Sequence, residues 1–165
     1  MPFDHARNTG VEKALSGEFR WLFFLDDDVV APHDTILRLM AHERDIVSGL
    51  YYRRAEPIVP VMMLEASPRP VWATQFTPGT LVKVDLVGSG CLLINRRVLE
   101  TVAKPWFEWL LDRNDVPEEE KCSEDFAFSR KARRAGFDIV VDTSIRCQHL
   151  GFSIADERGL SPLSP

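Results

Sequence analysis

The apolar run Trp21-Leu22-Phe23-Phe24-Leu25, followed at once by Asp26-Asp27-Asp28, limits the folds open to this chain more than any other feature. Five apolar residues with no polar alternation are too short for a helix. They read as a strand buried on both faces, as in a parallel sheet. In open α/β sheets, ligands bind beyond the carboxyl ends of the strands, where the three aspartates stand. Adjacent carboxylates repel one another, and a cation between them would offset that repulsion. An extended backbone would point Asp26 and Asp28 to one side and Asp27 to the other, so that two carboxylates reach one hard metal ion. An acidic turn capping the helix after Pro32 would use the same residues, and this motif alone does not separate the two readings.

The flanking segments place the run in an α/β domain. Residues 5–16 suit a helix with Val11, Ala14 and Leu15 inside, closed at Gly17. A second helix is expected over 33–42, with Ile36, Leu37 and Met40 as its inner face. Strands are expected at 46–48, 59–64, 71–76, 81–87, 91–94 and 139–141, punctuated by SPRP, TPG and Gly88-Ser89-Gly90. Between them fall a helix over 97–102 and one from the N-cap Ser123 to Gly136, the latter with Phe128, Ala132 and Ala135 inside. Residues 1–155 read as one domain and 156–165 as a flexible tail.

Composition narrows the function. Hydrophobic residues at 45% are enough for a packed core. Twenty basic against 25 acidic residues give a net charge of −5, which speaks against a nucleic-acid surface. Cys91, Cys122 and Cys147 show no CxxC spacing and read as reduced, buried thiols of a cytoplasmic protein. No apolar run approaches the roughly 20 residues of a transmembrane helix, and the N-terminal segment lacks the apolar core of a signal peptide.

Four further features bear on chemistry. Glu124 and Asp125 after Ser123 complement a helix dipole, or supply a general base at the mouth of a cleft. His149 follows the last core strand and becomes a metal ligand only if the chain returns it to Asp28. Gly88-Ser89-Gly90 fits a tight turn or a close backbone approach to a ligand. The cluster Trp106, Phe107 and Trp109 reads as core, with an aromatic platform for a sugar as the alternative.

The order of these blocks is more specific than any of them alone. ARNTGVEKAL, WLFFLDDDV, GLYYRR, VDLVGSGCLLINRRVLE, KPWF and SEDFAFSRKARRAGFDIVVDTSIRCQHLG together resemble the GT-A glycosyltransferases, especially family-2-like bacterial and phage members, over about Ala6 to Gly151. The resemblance implies a Rossmann-like mixed sheet flanked by helices. It also implies transfer of a sugar from a nucleotide-diphosphate donor to a saccharide or other hydroxyl acceptor. By it, Asp26 and Asp28 form the DxD metal motif with Asp27 between them, and His149 is a third ligand to Mn2+ or Mg2+. Asp125 is the base, with Glu124 beside it, and Arg7, Asp27 and Asp85 lie near the donor. Gly88, Ser89, Gly90 and Trp106 fall at the sugar and acceptor pocket. Arg53 and Arg54 either face the phosphates or are merely solvated.

Members of that family begin with a strand, a helix and a second strand ahead of the ARN helix. The expectation for this chain is therefore an N-terminally truncated domain, with weak nucleotide binding and self-association through an exposed sheet edge. Two other functions are open: a metal-dependent phosphohydrolase using the same acids, and a non-catalytic remnant that binds a partner through the exposed sheet edge, against which the intact acids argue.

Overall fold

The computed structural model describes residues 2–151, 153–157 and 159–162. The chain opens with helix α1 (Pro2–Ser16), strands β1 (Trp21–Leu25) and β2 (Val29–Val30), helix α2 (Thr35–Ala41) and strand β3 (Ile46–Leu50). Short strands β4 (Met62–Leu64), β5 (Val71–Trp72), β6 (Leu81–Val84) and β7 (Leu86–Val87) follow, then β8 (Cys91–Asn95) and α3 (Arg96–Thr101). A 3-10 turn at Glu118–Glu120 precedes α4 (Glu124–Arg134), and the chain ends in β9 (Ile139–Arg146), β10 (Gln148–His149), β11 (Ser153–Asp156) and β12 (Gly159–Pro162).

The main sheet is mixed, in the order β1-β8-β3-β9-β6. β3 and β9 are parallel, while β8 runs antiparallel to both of its neighbours, β1 and β3. β1, β3 and β9 therefore all point the same way, and their carboxyl ends meet at one rim. Side chains alternate across the sheet. Ile46, Leu92, Ile94, Ile139 and Val141 pack with Val11, Val98, Leu99, Phe107, Phe128 and Ala132 on the face covered by α1, α3 and α4. Val47, Leu93 and Val140 pack with Leu39 of α2 and with Ile145 on the other.

Several expectations are corrected. β1 is an edge strand of a mixed sheet, not an interior strand of a parallel one; Leu25 is exposed and the rest of the strand half-buried. Its unbroken apolar run has another cause: Leu22 and Phe24 join one core while Trp21 and Phe23 join the other. In α2 the inner face is Thr35 and Leu39, four residues apart, which turns Ile36, Leu37 and Met40 outward. In α4, Ala127 is buried and Ala135 exposed, because the helix ends before Ala135, and Gly136 follows at φ +91°. The expected tail is a hairpin as far as Pro162: β11 pairs with β12 in the sheet β12-β11-β10-β2, and Asp156 is buried. Arg158 and residues 163–165 of that tail lie outside the described residues. The three cysteines are unpaired and buried. No helix among the described residues is long and apolar enough to cross a membrane.

Phe128 is fully buried and stacks on Phe107, with ring centroids 4.6 Å apart. Phe128→Ala should lower unfolding stability by about 3–5 kcal/mol, measured by denaturant titration, because the stacked ring beneath it cannot follow the lost volume.

Candidate functional site

The three aspartates stand in a turn rather than in extended chain. The Asp26 N–H donates to Gly90 O at 3.0 Å, which keeps the chain in register with β8 just beyond the strand end. The Val29 N–H then closes back on Asp26 O at 3.0 Å. This separates the carboxylates. Asp26 turns toward α1 and α4, Asp28 toward β10, and Asp27 is exposed between them. β2 pairs antiparallel with β10, placing Val29 opposite His149, and the Leu150 N–H donates to Asp28 O at 2.7 Å. His149 is thereby returned to Asp28, its Nε2 3.6 Å from Asp28 Oδ1.

The imidazole is held in one orientation. Its Nδ1 lies 2.7 Å from the Tyr52 carbonyl oxygen, which can only accept, so Nδ1 carries the hydrogen. The Tyr51 ring meets it edge-on at 5.5 Å. Nε2 is left to face Asp28. Two ligands held about 2.1 Å from one ion lie about 3.0–3.4 Å apart, so the Asp28 and His149 atoms fit a shared divalent cation with a small adjustment. Imidazole with carboxylate is a donor set suited to manganese. Among the described residues no three His, Cys, Asp or Glu side chains form a metal cluster. The chain therefore offers two ligands, and the remainder would come from water or a bound phosphate, a common arrangement for magnesium. Asp28 is braced from its other side, where Arg54 Nη1 lies 2.8 Å from Oδ2 and also donates to Leu150 O at 2.9 Å.

Arg7 spans the opposite side. Its Nη2 donates to both oxygens of Asp26, at 2.9 and 3.1 Å, and its Nε reaches Glu124 Oε1 at 3.5 Å, while its guanidinium carbon lies over the Phe24 ring, 5.3 Å from the centroid. This guanidinium holds α1 against the end of β1 and the start of α4. The adjacent Asn8 fastens α1 to the next loop: its Oδ1 accepts from the Trp106 and Phe107 N–H groups, and its Nδ2 donates to Phe107 O. Asp125 Oδ1 accepts a short hydrogen bond from Ser123 Oγ and one of 2.8 Å from the Phe126 N–H. Burial nevertheless pushes its carboxyl up to about 6; the neighbouring Glu124 charge adds to the rise, and the two hydrogen bonds and Arg7 oppose it.

Arg7, Asp26, Asp27, Asp28, Glu124, Asp125 and His149 line one open cleft of about 650 Å³, together with Phe3, Tyr51, Arg53, Arg54 and Trp109. That volume is in the usual range for a small-molecule site. The other expected residues fall elsewhere. Asp85 is bound by Arg133 at 3.0 Å and by the Glu65 N–H at 3.0 Å, in a separate depression beside α4. Trp106 is buried, its Nε1 donating to Leu99 O at 2.7 Å, so it is core and Trp109 is the indole at the cleft. Gly88, Ser89 and Gly90 are buried beneath Tyr51 and do not line the cleft. A Cβ on Gly88 would fall 2.0 Å from the Tyr51 hydroxyl, which itself accepts from the Gly90 N–H at 3.0 Å. The glycines thus serve a close approach, but to Tyr51 rather than to a ligand. Tyr51, Tyr52 and Asn8 are positioning groups that sequence reasoning missed. The signal for the first two was that GLYY ends a strand at the rim where ligands bind.

No protein-family model and no curated protein matches the sequence. Among solved structures the fold is similar to that of A197 from STIV, a viral protein, with a TM-score of 0.71 and 19% identity; the match covers 99% of this chain and 76% of that one. At that identity the likeness shows a shared fold.

Asp125 ties the site to stability. Between its ordinary value of 3.8 and about 6, the folded protein holds a proton that the unfolded chain has released. Stability is therefore lost as pH rises through that window. Asp125→Asn removes the buried charge and should raise stability by about 1–2 kcal/mol at about pH 8, with no gain at about pH 3.5, measured as melting temperature against pH.

Proposed function

We propose that this chain is a GT-A-type, metal-dependent glycosyltransferase domain that moves a sugar from a nucleotide-diphosphate donor to an acceptor hydroxyl. The observation that carries the reading is the meeting in one cleft of Asp28 and His149, from opposite ends of the chain, with Asp125, whose carboxyl is raised to about 6. A mixed α/β fold with acids at the carboxyl rim of its sheet is compatible with it.

Asp28 and His149 would hold the divalent ion, Mn2+ or Mg2+, which when bound supplies Lewis-acid stabilisation of the charge developing on the departing diphosphate. Tyr52 O fixes the histidine tautomer and Arg54 the carboxylate, so the two ligands need only a small adjustment. Asp125, with only Oδ1 engaged by the hydrogen bonds described, would accept the proton of the acceptor hydroxyl as that oxygen attacks the anomeric carbon. A carboxyl near 6 is ionised at neutral pH, yet more basic than an ordinary aspartate, which suits that task. Glu124 is committed to Arg7 and takes the role of holding α4 in place. Asp26, also committed to Arg7, would stand beside the ion rather than on it.

The test is a screen of nucleotide-sugars with Mn2+, following release of nucleoside diphosphate with and without hydroxyl acceptors. Release that depends on the acceptor supports transfer; release of sugar phosphate or inorganic phosphate to water alone would identify a phosphohydrolase using the same acids. Asp125→Asn should lower kcat/KM by about 10²–10⁴-fold with Mn2+ binding intact. In the unsubstituted protein kcat/KM should fall tenfold per pH unit below about 6, as Asp125 takes up its proton.

A further inference from the structure

Three arginines line the cleft, and the structure commits two of them. Arg7 is spent on Asp26 and Glu124, and Arg54 on Asp28 and the Leu150 carbonyl. Arg53 differs from both. Its backbone N–H donates to Val59 O at 3.0 Å, which fixes the start of the loop after β3. Its guanidinium lies over the Trp72 ring, 5.3 Å from the centroid. Among the described residues, no carboxylate or carbonyl accepts from its side-chain N–H groups.

A guanidinium held over an indole by cation–π attraction spends none of its N–H donors on that contact, so all of them remain for an anion. The guanidinium fork matches two oxygens of a phosphate, and its seat over Trp72 reduces the side-chain freedom that binding would otherwise cost. The surrounding charge gives it a purpose. Five carboxylates line this cleft, Asp26, Asp27, Asp28, Glu124 and Asp125, so an anion entering it is repelled unless cations meet it. A divalent ion on Asp28 and His149 is one such cation, and Arg53 is the guanidinium that gives none of its side-chain donors to a carboxylate or carbonyl among the described residues, whereas Arg54 is held through Nη1.

We propose that Arg53, held on Trp72, is the protein's own contact to the diphosphate of the donor, and that its neighbour Arg54 is instead a positioning residue for Asp28. This rests on the glycosyltransferase reading above. It names an anion site whose ligand is a pair of linked phosphates, one guanidinium fork being supplied by the loop and one cation by the Asp28–His149 pair.

Calorimetric titration separates the two roles. The probes are Mn2+ alone, and then inorganic pyrophosphate, orthophosphate and uridine or guanosine diphosphate, each in saturating Mn2+. Arg53→Gln should weaken pyrophosphate and nucleoside diphosphate binding by about 10–100-fold and leave binding of Mn2+ alone unchanged. Arg53→Lys, which keeps the charge but loses fork and stacking, should recover only part of that loss. Arg54→Gln should show the reverse pattern, weakening Mn2+ alone by about 10-fold or more. If the unsubstituted protein binds pyrophosphate with Mn2+ and Arg53→Gln binds it within twofold as tightly, the assignment of Arg53 is wrong while the function stands. Should orthophosphate bind as tightly as pyrophosphate, the site is one for a single phosphate and the diphosphate assignment falls. If the unsubstituted protein binds neither pyrophosphate nor nucleoside diphosphate, the glycosyltransferase reading falls with it.

Discussion

Three carboxylates on consecutive residues would spread into solvent if nothing held their turn, and what holds it is a ladder two residues long. Val29 and Val30 pair with His149 and Gln148, and the Leu150 N–H closes on the carbonyl of Asp28. A few backbone hydrogen bonds therefore fix the distance between a turn near the start of the chain and a histidine near its end. Around that ladder the side chains are ordered in sequence: Tyr52 O sets the imidazole tautomer, Tyr51 sets the ring plane, and Arg54 closes the loop from Asp28 to Leu150. Each is a short-range constraint that acts only once the ladder has formed. Small ladders at a sheet rim are weak by themselves. This one is backed by the buried Val29, Tyr51, Ile145 and Cys147 beneath it.

Charge explains why the site divides into halves. Asp26 and Glu124 share Arg7, which is mostly buried and rests on Phe24 and Phe107. A cation held in so apolar a seat stays in place because two carboxylates and two aromatic faces compensate its lost hydration. This leaves Asp28 for His149 and leaves Asp125 without a guanidinium in hydrogen-bonding contact. The consequence is chemical specialisation among five neighbouring acids. Arg7 absorbs the charge of Asp26 and Glu124, which orient the fold, Arg54 braces Asp28, and burial raises Asp125, whose proton affinity the proposed reaction would use.

Much of this was legible in the sequence, and the failures share a cause. The apolar period located β1, β3, β8 and β9, and the acids at the ends of apolar runs located the rim. What periodicity cannot report is pairing. Trp21–Leu25 is apolar throughout because alternate residues enter two cores, and that is compatible with an edge strand as well as with an interior one. The same limit applied to α2, where seven residues hold too few turns for the pattern to fix a phase, and Leu39 rather than Leu37 faces the sheet. The glycines of GSG announced a close approach without saying to what; only the fold puts the Tyr51 hydroxyl there. Trp106 and Trp109 are indistinguishable in sequence. Their difference lies in a hydrogen bond from Trp106 to Leu99 that draws one indole inward.

Direction, rather than strand count, is the feature of the sheet that the site uses. β8 runs antiparallel between β1 and β3, so it delivers Gly90 to the same rim at which its neighbours end. The Asp26 N–H can then bond to Gly90 O and the Gly90 N–H to Tyr51, tying the ends of β1 and β3 across the start of β8. An all-parallel sheet would place a loop from its opposite edge here and could not make that tie. The reversed strand therefore does more than complete the sheet. It supplies the buried floor beneath the carboxylate turn and the histidine, through one backbone bond that a change of side chain at the rim leaves in place and one that depends on the Tyr51 hydroxyl.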